Sequence, residues 1–209
     1  MGSVKEQSCK LCRREKQKLF LKGTRCFTDR CGIERKPAPP GQKAKMRLIE
    51  SEYCLQLREK QKAKRYYGIL EKQFRNYYKQ AVRKKGITGE ILLQILETRL
   101  DNVIYLMGFS VSRRQAKQLI SHGHIAVNDK KVDISSYKVK EGQTISIMLA
   151  SREIAPIVEA KESAGSLISP EWMKVDIANL KGEILRIPER NEIKAPVNEQ
   201  MIVELYSKV

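Results

Sequence analysis

At 209 residues the chain is long enough for two modest domains and an extension. Its 41 Lys and Arg against 24 Asp and Glu leave a net charge of +17, and the excess is one-ended: residues 1–85 hold 25 basic and 8 acidic side chains, residues 86–209 hold 16 of each. That excess wants a polyanion, and nucleic acid is favoured over a membrane because no run approaches about 18 apolar residues, no secretory leader is expected, and Glu6 stands where a myristoylation signal needs Ser or Thr.

The first predicted element is a metal site. Cys9, Cys12, Cys26 and Cys31 have the spacing C-x2-C-x13-C-x4-C, two close thiolate pairs that suit tetrahedral Zn²⁺. Four cysteines close the coordination shell, so the expected zinc is structural rather than catalytic. Two disulfides and an iron–sulfur cluster are the alternatives; the first fits secretion and the second redox work, and the sequence points to neither. Apolar residues are few in this extension, so ligation is expected to supply much of its folding energy. Cys54, alone on a predicted helix, reads as a small buried residue.

Arg35 to Lys45 is a basic Pro/Gly-rich tether, expected to lie against nucleic acid through Arg35, Lys36, Lys43 and Lys45. From Lys45 to Lys85 the pattern is helical. Leu48, Leu55, Ile69, Leu70, Phe74, Tyr77 and Tyr78 supply apolar positions, and cations including Arg47, Arg58, Lys62, Arg65, Arg75, Lys79, Arg83 and Lys84 are expected at backbone phosphates.

Residues 97–148 read as two short helices and small strands. Leu100, Val103, Ile104 and Met107 have core spacing, with Asn102 and Tyr105 pointing away and Gly108 as the stop. Ser112 and Gln115 form a Ser-x-x-Gln capping box, and Gly123 stands where a left-handed terminator belongs. Between them Ala116, Leu119 and Ile120 face the core, and Arg114, Lys117, Gln118 and Ser121 share the other face. Strands follow at His124–Val127, Val132–Ile134 and Thr144–Leu149, with an Asn128-Asp129 turn after the first. After Ala150, Ser169-Pro170-Glu171 reads as a helix start, Ile184 to Ile187 as a strand ended by Pro188, and Asn198 as the cap of a last helix through Tyr206.

Residues 97–148 resemble the small RNA-binding domain shared by a bacterial ribosomal protein, several pseudouridine synthases and tyrosyl-tRNA synthetases. Taken together, the cysteine extension, SEYCLQLREKQKAKRYYG at 51–68, TRLDNVIYLMGF at 98–109, SRRQAKQLISHGHIAVN at 112–128 and NEQMIVELYSK at 198–208 resemble one family nearly end to end. It is the bacterial small-subunit ribosomal proteins numbered four, in their zinc-binding form. Ala38 and Lys43 depart from that family's pattern in the tether, and the start MGSVKEQSC differs as well.

The resemblance implies an α+β, mainly helical protein in three parts. These are a zinc-bound extension and tether (1–45), a discontinuous helical domain (46–93 plus 170–209), and an inserted α/β RNA-binding domain of two helices and a small antiparallel sheet (94–169). It implies a structural, cytoplasmic protein of the small ribosomal subunit that binds a multi-helix junction in the 5′ domain of 16S rRNA, nucleates assembly and contributes to translational accuracy. Neighbouring ribosomal proteins, and mRNA where it enters the subunit, are the other implied partners, with no small-molecule substrate. The implied RNA-facing residues of the inserted domain are Arg99, Asn102, Arg113, Arg114, Gln115, Lys117, His122 and His124. His122-Gly123-His124 also has the look of a metal pair, but the cysteines already complete a site.

An RNA-modifying enzyme of the pseudouridine-synthase kind is the rival reading. Its catalytic aspartate can sit in a triplet like Arg99-Leu100-Asp101, but here the triplet lies on the RNA-binding module itself and Asp101 is expected to pair with a neighbouring base or to cap local structure. No phosphate-cradling glycine loop, Ser/His/Asp set or open metal site appears, so no catalysis is expected. A zinc-finger regulator of DNA lacks the histidine-paired spacing, and repression of its own message by the same surface is a further alternative.

Overall fold

The computed structural model describes residues 7–41, 51–164 and 169–208. The chain forms two compact units, Met1–Leu92 with Lys194–Val209, and Leu93–Ile193.

In the first unit, the extension carries α1 (Ser8–Arg14), a 3-10 turn (Gly23–Phe27) and α2 (Gly32–Arg35) around a very small core of Leu11 and Leu19. Left-handed residues at Lys16, Phe20 and Gly23 turn the backbone back on itself between them. Arg13 Nε donates to the Ala38 carbonyl at 2.8 Å, which ties the tether to α1. Beyond it, α3 (Glu52–Tyr66) starts where the Ser51 side chain accepts from the Cys54 N–H. α4 (Glu71–Val82) buries Phe74 and Ala81. α9 (Glu199–Ser207) is capped by Asn198, whose side-chain oxygen accepts from the N–H groups of Gln200 and Met201. α3 packs on α9, and Tyr206 of α9 stacks on Tyr78 and Phe74 of α4 at 4.5 and 6.3 Å. The boundary between the units falls within α5 (Thr88–Glu97).

The second unit packs α6 (Leu100–Leu106) and α7 (Arg113–Ser121) on an antiparallel five-stranded sheet in the order β2-β1-β3-β5-β4. The strands are β1 (Ile125–Val127), β2 (Lys130–Lys131), β3 (Thr144–Ile147), β4 (Met173–Asp176) and β5 (Lys181–Ile184), and α8 (Ala155–Ala164) adds Ile157 to the core. The β1–β2 connection is a two-residue turn with Asn128 and Asp129 both at positive φ (48° and 60°), which short polar side chains tolerate.

Several sequence expectations change here, among them the strand expected at Ile184 to Ile187, which lies earlier as β5. Residues 170–193 belong to the second unit and not to the helical domain, because β5 pairs with β3 through Ile145 and Gly182. Ser169-Pro170-Glu171 does not start a helix. The Met173 N–H donates to the Pro170 carbonyl, closing a turn, and the chain then alternates buried Met173 with exposed Lys174 and Asp176 as a strand. The strand expected at Val132–Ile134 lies two residues earlier, and β3 ends at Ile147, with Leu149–Ser151 forming a 3-10 turn instead.

Candidate nucleic-acid interface

Helices α6 and α7 of the second unit are joined by buried polar contacts. The Asp101 carboxylate accepts from Arg99 Nε at 3.0 Å and Nη2 at 2.6 Å and from the Asn102 N–H at 2.9 Å. Lys117 Nζ approaches it to 3.5 Å from α7. Asn102 donates to the Glu97 carboxylate and carbonyl and accepts from Arg113 Nε at 2.7 Å, and the Arg113 guanidinium lies 4.4 Å over the Tyr105 ring. Arg99, Asn102 and Arg113 are only 2, 1 and 6% exposed. They therefore hold one another in place instead of opening toward a ligand, and Asn102 does not point away as the helical spacing suggests. Gln115 is likewise occupied. Its N–H donates to Ser112 Oγ, and its side-chain oxygen accepts from the Val111 N–H, one residue before the expected partner of the capping box.

The outward side of this scaffold carries Arg114, Gln118, Ser121 and His122, all exposed, and Lys117, whose side chain is 28% exposed. Burial pushes the Lys117 ammonium below its ordinary pKa; Asp101 pulls it back up while Arg99 and Arg113 push it down. His124 is half-buried, with Nδ1 2.9 Å from Ser151 Oγ and its ring 6.0 Å from that of His122. The sequence reading missed Lys130 and Lys131 on β2, both exposed. Lys131 lies across Gly123 so closely that a Cβ there would meet its side chain at 2.1 Å. The signal was a Lys-Lys pair directly after a two-residue turn, which puts one cation on each face of the strand.

In the first unit the basic residues divide. On α3, Arg58 and Arg65 both pair with Glu15, whose side chain is 1% exposed, Lys62 pairs with Glu59 at 2.5 Å, and Lys60 and Lys64 pair with Glu71 at 2.7 and 3.0 Å. Burial pushes the Glu15 carboxyl up, against the pull of the two arginines. For Glu71 the pull of Lys60 and Lys64 outweighs burial and the carboxyl sits below its usual value. On α4 and just after it, Lys72, Arg75, Lys79, Arg83, Lys84 and Lys85 are exposed and have no carboxylate partner among the described residues. Arg35 and Lys36 are exposed. Lys43, Lys45 and Arg47 lie outside the described residues.

Cys9 and Cys12 lie one turn apart on α1, Cys26 sits in the 3-10 turn, and Cys31 precedes α2. Cys12, Cys26 and Cys31 are buried, and Cys9 is half-buried. Gly32 fits against Cys9 so tightly that a Cβ would stand 2.8 Å from the Cys9 Cβ and 3.0 Å from its sulfur. Burial pushes the Cys12 and Cys26 thiols up; the N–H groups of Leu19 and Lys22 pull them back, and the neighbouring cysteines push further. The Lys22 N–H donates to Cys26 Sγ at 3.3 Å. All five cysteines are free thiols, and among the described residues no group of three or more Cys, His, Asp or Glu is gathered into a ligating set. Cys54 is half-buried rather than buried.

Residues 3–97 match the model of the ribosomal protein S4/S9 N-terminal domain, and residues 98–145 match the S4 domain. The chain is 55% identical over 201 residues, 96% of both chains, to small ribosomal subunit protein uS4 of Natranaerobius thermophilus. The protein of the same name from Ruminiclostridium cellulolyticum is 50% identical over 208 residues, the whole of both chains. The chain belongs to the uS4 family. As a member of the uS4 family it is a structural ribosomal protein, its relatives being named as small ribosomal subunit proteins and not as enzymes. The S4-domain match stops within β3, whereas the sheet of the second unit continues through β5 and β4.

Proposed function

We propose that this uS4-family chain binds 16S ribosomal RNA directly, at a multi-helix junction of the 5′ domain, and nucleates assembly of the body of the small subunit. The single observation that carries this reading is the α7 surface. Arg114, Gln118, Ser121 and His122, with Lys130 and Lys131 of β2, are exposed donors on the outside of a module in which Asp101 pairs with Arg99 and Lys117 and the Asn102 amide oxygen accepts from Arg113. Exposed donors of this kind suit phosphate and ribose hydroxyl oxygens of a folded RNA. The basic first 85 residues supply capture by charge, and the second unit fixes register. Contacts to neighbouring ribosomal proteins and to mRNA, a role in translational accuracy and residence in the cytoplasmic subunit belong to the same proposal.

The test is affinity for a 16S 5′-domain fragment against an equally long unrelated folded RNA across a salt series. A preference that persists as salt rises supports the reading; equal affinities that collapse together overturn it. With on the order of six to ten phosphates neutralised, affinity falls by about 10³ or more between 50 and 200 mM salt.

The zinc-binding form is part of the proposal. Cys9, Cys12, Cys26 and Cys31 would hold one structural Zn²⁺. The support is chemical: four soft donors within electrostatic reach of one another, three of them buried in a segment with a very small apolar core. The bound ion supplies the cross-link between α1, the 3-10 turn and α2 that Leu11 and Leu19 cannot supply alone. Metal analysis of the full chain is expected to give one zinc per molecule and no visible-range iron–sulfur absorbance. Cys12→Ser is expected to lose the metal, and retained stoichiometry would refute the assignment.

A further inference from the structure

Both helices of the first unit that follow the tether are rich in Lys and Arg, and sequence alone gives no reason to separate them. The ion pairs do. Each named cation of α3 already faces an acid of the same unit: Glu15 takes Arg58 and Arg65, Glu59 takes Lys62, and Glu71 takes Lys60 and Lys64. Their charge is largely spent on the fold.

α4 is built the opposite way. Lys72, Arg75, Lys79 and Arg83 are spaced three, four and four residues apart, which at about 100° per residue keeps them within a single face of roughly 80°. Arg83, the C-cap, keeps helical φ and ψ and so stays in the row. All four are exposed. The reverse face holds Phe74 and Ala81, fully buried, and Tyr78 stacked on Tyr206, so the helix cannot roll to hide the row. No carboxylate among the described residues meets any of the four. Like charges one turn apart oppose helix formation, so the row is a cost to the free protein that a partner must offset.

We propose that α4 is the strand-tracking element of the first unit, its row of four cations lying along the phosphates of one RNA strand, while the basic run of α3 makes no RNA contact. The inference deepens the RNA-binding reading and rests on it. The row spans about 16 Å at 1.5 Å per residue. A duplex strand offers one phosphate per about 3.4 Å of axis, so each side chain has a phosphate within reach. Lys84 and Lys85 extend the same charge past the end of the helix.

The experiment measures the slope of log affinity against log salt for three full-length variants, on the 5′-domain fragment and on the unrelated RNA. In K72Q/R75Q/K79Q/R83Q the slope is expected to become shallower by about 3.6, from roughly 0.9 for each of four lost phosphates on the duplex scale. In K60Q/K64Q it is expected to stay at the wild-type value, and K72R/R75K/K79R/R83K is expected to retain the wild-type slope. A partly unfolded variant shifts affinity without changing how many phosphates the folded fraction neutralises, so the slope discriminates where affinity alone does not. An unchanged slope in the four-Gln variant, or an equal loss in the α3 variant, overturns the proposal. Wild-type chain that shows no preference for the 5′-domain fragment instead defeats the ribosomal reading, and the slopes on both RNAs still decide the role of α4.

Discussion

Asp101 shows how much of the second unit depends on one carboxylate. It accepts a two-pronged contact from a guanidinium that is itself 2% exposed, and it lies 3.5 Å from the Lys117 ammonium. Removing one partner of a buried ion pair strands the other charge, which costs about 3–5 kcal/mol. Asp101→Asn is therefore expected to destabilise the second unit by about that amount. Trp172, the only tryptophan of the chain and 1% exposed in this unit, reports the transition by fluorescence in a urea titration. A loss under about 1 kcal/mol would mean that Arg99 reaches water at little cost. Glu15 gives a prediction in pH. Burial raises its folded-state pKa above the ordinary 4.5 in spite of Arg58 and Arg65, so between 4.5 and the raised value the folded chain holds more protons than the unfolded one. Stability falls as pH rises through that window. Comparing wild type with Glu15→Gln from pH 4 to 7, the wild-type stability relative to the variant is expected to decline with rising pH; a constant or growing margin would contradict the sign.

At the scale of elements, what was legible in sequence was local chemistry. The Ser112 cap, the left-handed stops at Gly108 and Gly123 (both φ 77°), the Asn128-Asp129 turn and the Asn198 cap all depend on residues within four positions of one another. Each was readable because each is a backbone group satisfied by its own neighbourhood. The Asn198 cap carries a measurable stake: Asn198→Ala is expected to cost about 1 kcal/mol. Hydrogen exchange should show it as faster exchange in α9 and in the α3 residues packed on it. Loss of protection confined to β-strands would place the effect elsewhere. What was not legible depended on partners distant in sequence. Ser169-Pro170-Glu171 has the residues of a helix start, yet the segment after it is claimed by β5, which pairs with β3, some 37 residues earlier at Ile145 and Gly182. The division between α3 and α4 was equally hidden, because Glu15 lies 43 residues from Arg58 and 50 from Arg65. The family resemblance made Arg99, Asn102 and Arg113 look like RNA contacts; the fold shows that Asp101, Glu97 and Tyr105 lie against them.

For the whole molecule, salt is expected to act in opposite directions on the free chain and on its RNA complex. The ion pairs of the first unit are mostly partly exposed, as with Lys208 and Glu52 at 3.0 Å, and such pairs are worth about 0.2–1 kcal/mol each. Against them stands a net charge of +17, all of it contributed by residues 1–85, including the uncompensated row on α4. Repulsion among unmatched charges acts over longer distances than a contact pair, so it is the first to be screened as the Debye length shortens from about 30 Å at 0.01 M to about 10 Å at 0.1 M. The melting temperature of the free chain is therefore expected to rise between 10 and 150 mM salt, while affinity for RNA falls over the same range because the counterions released on binding gain less entropy as bulk salt rises. Calorimetry of the free chain beside a binding titration at each salt concentration reads both. A melting temperature that falls with salt would mean that the pairs of α3 outweigh the repulsion of α4. In the free protein the charge excess would then be a stabilising network, and the case for an anionic partner would rest on the α7 surface alone.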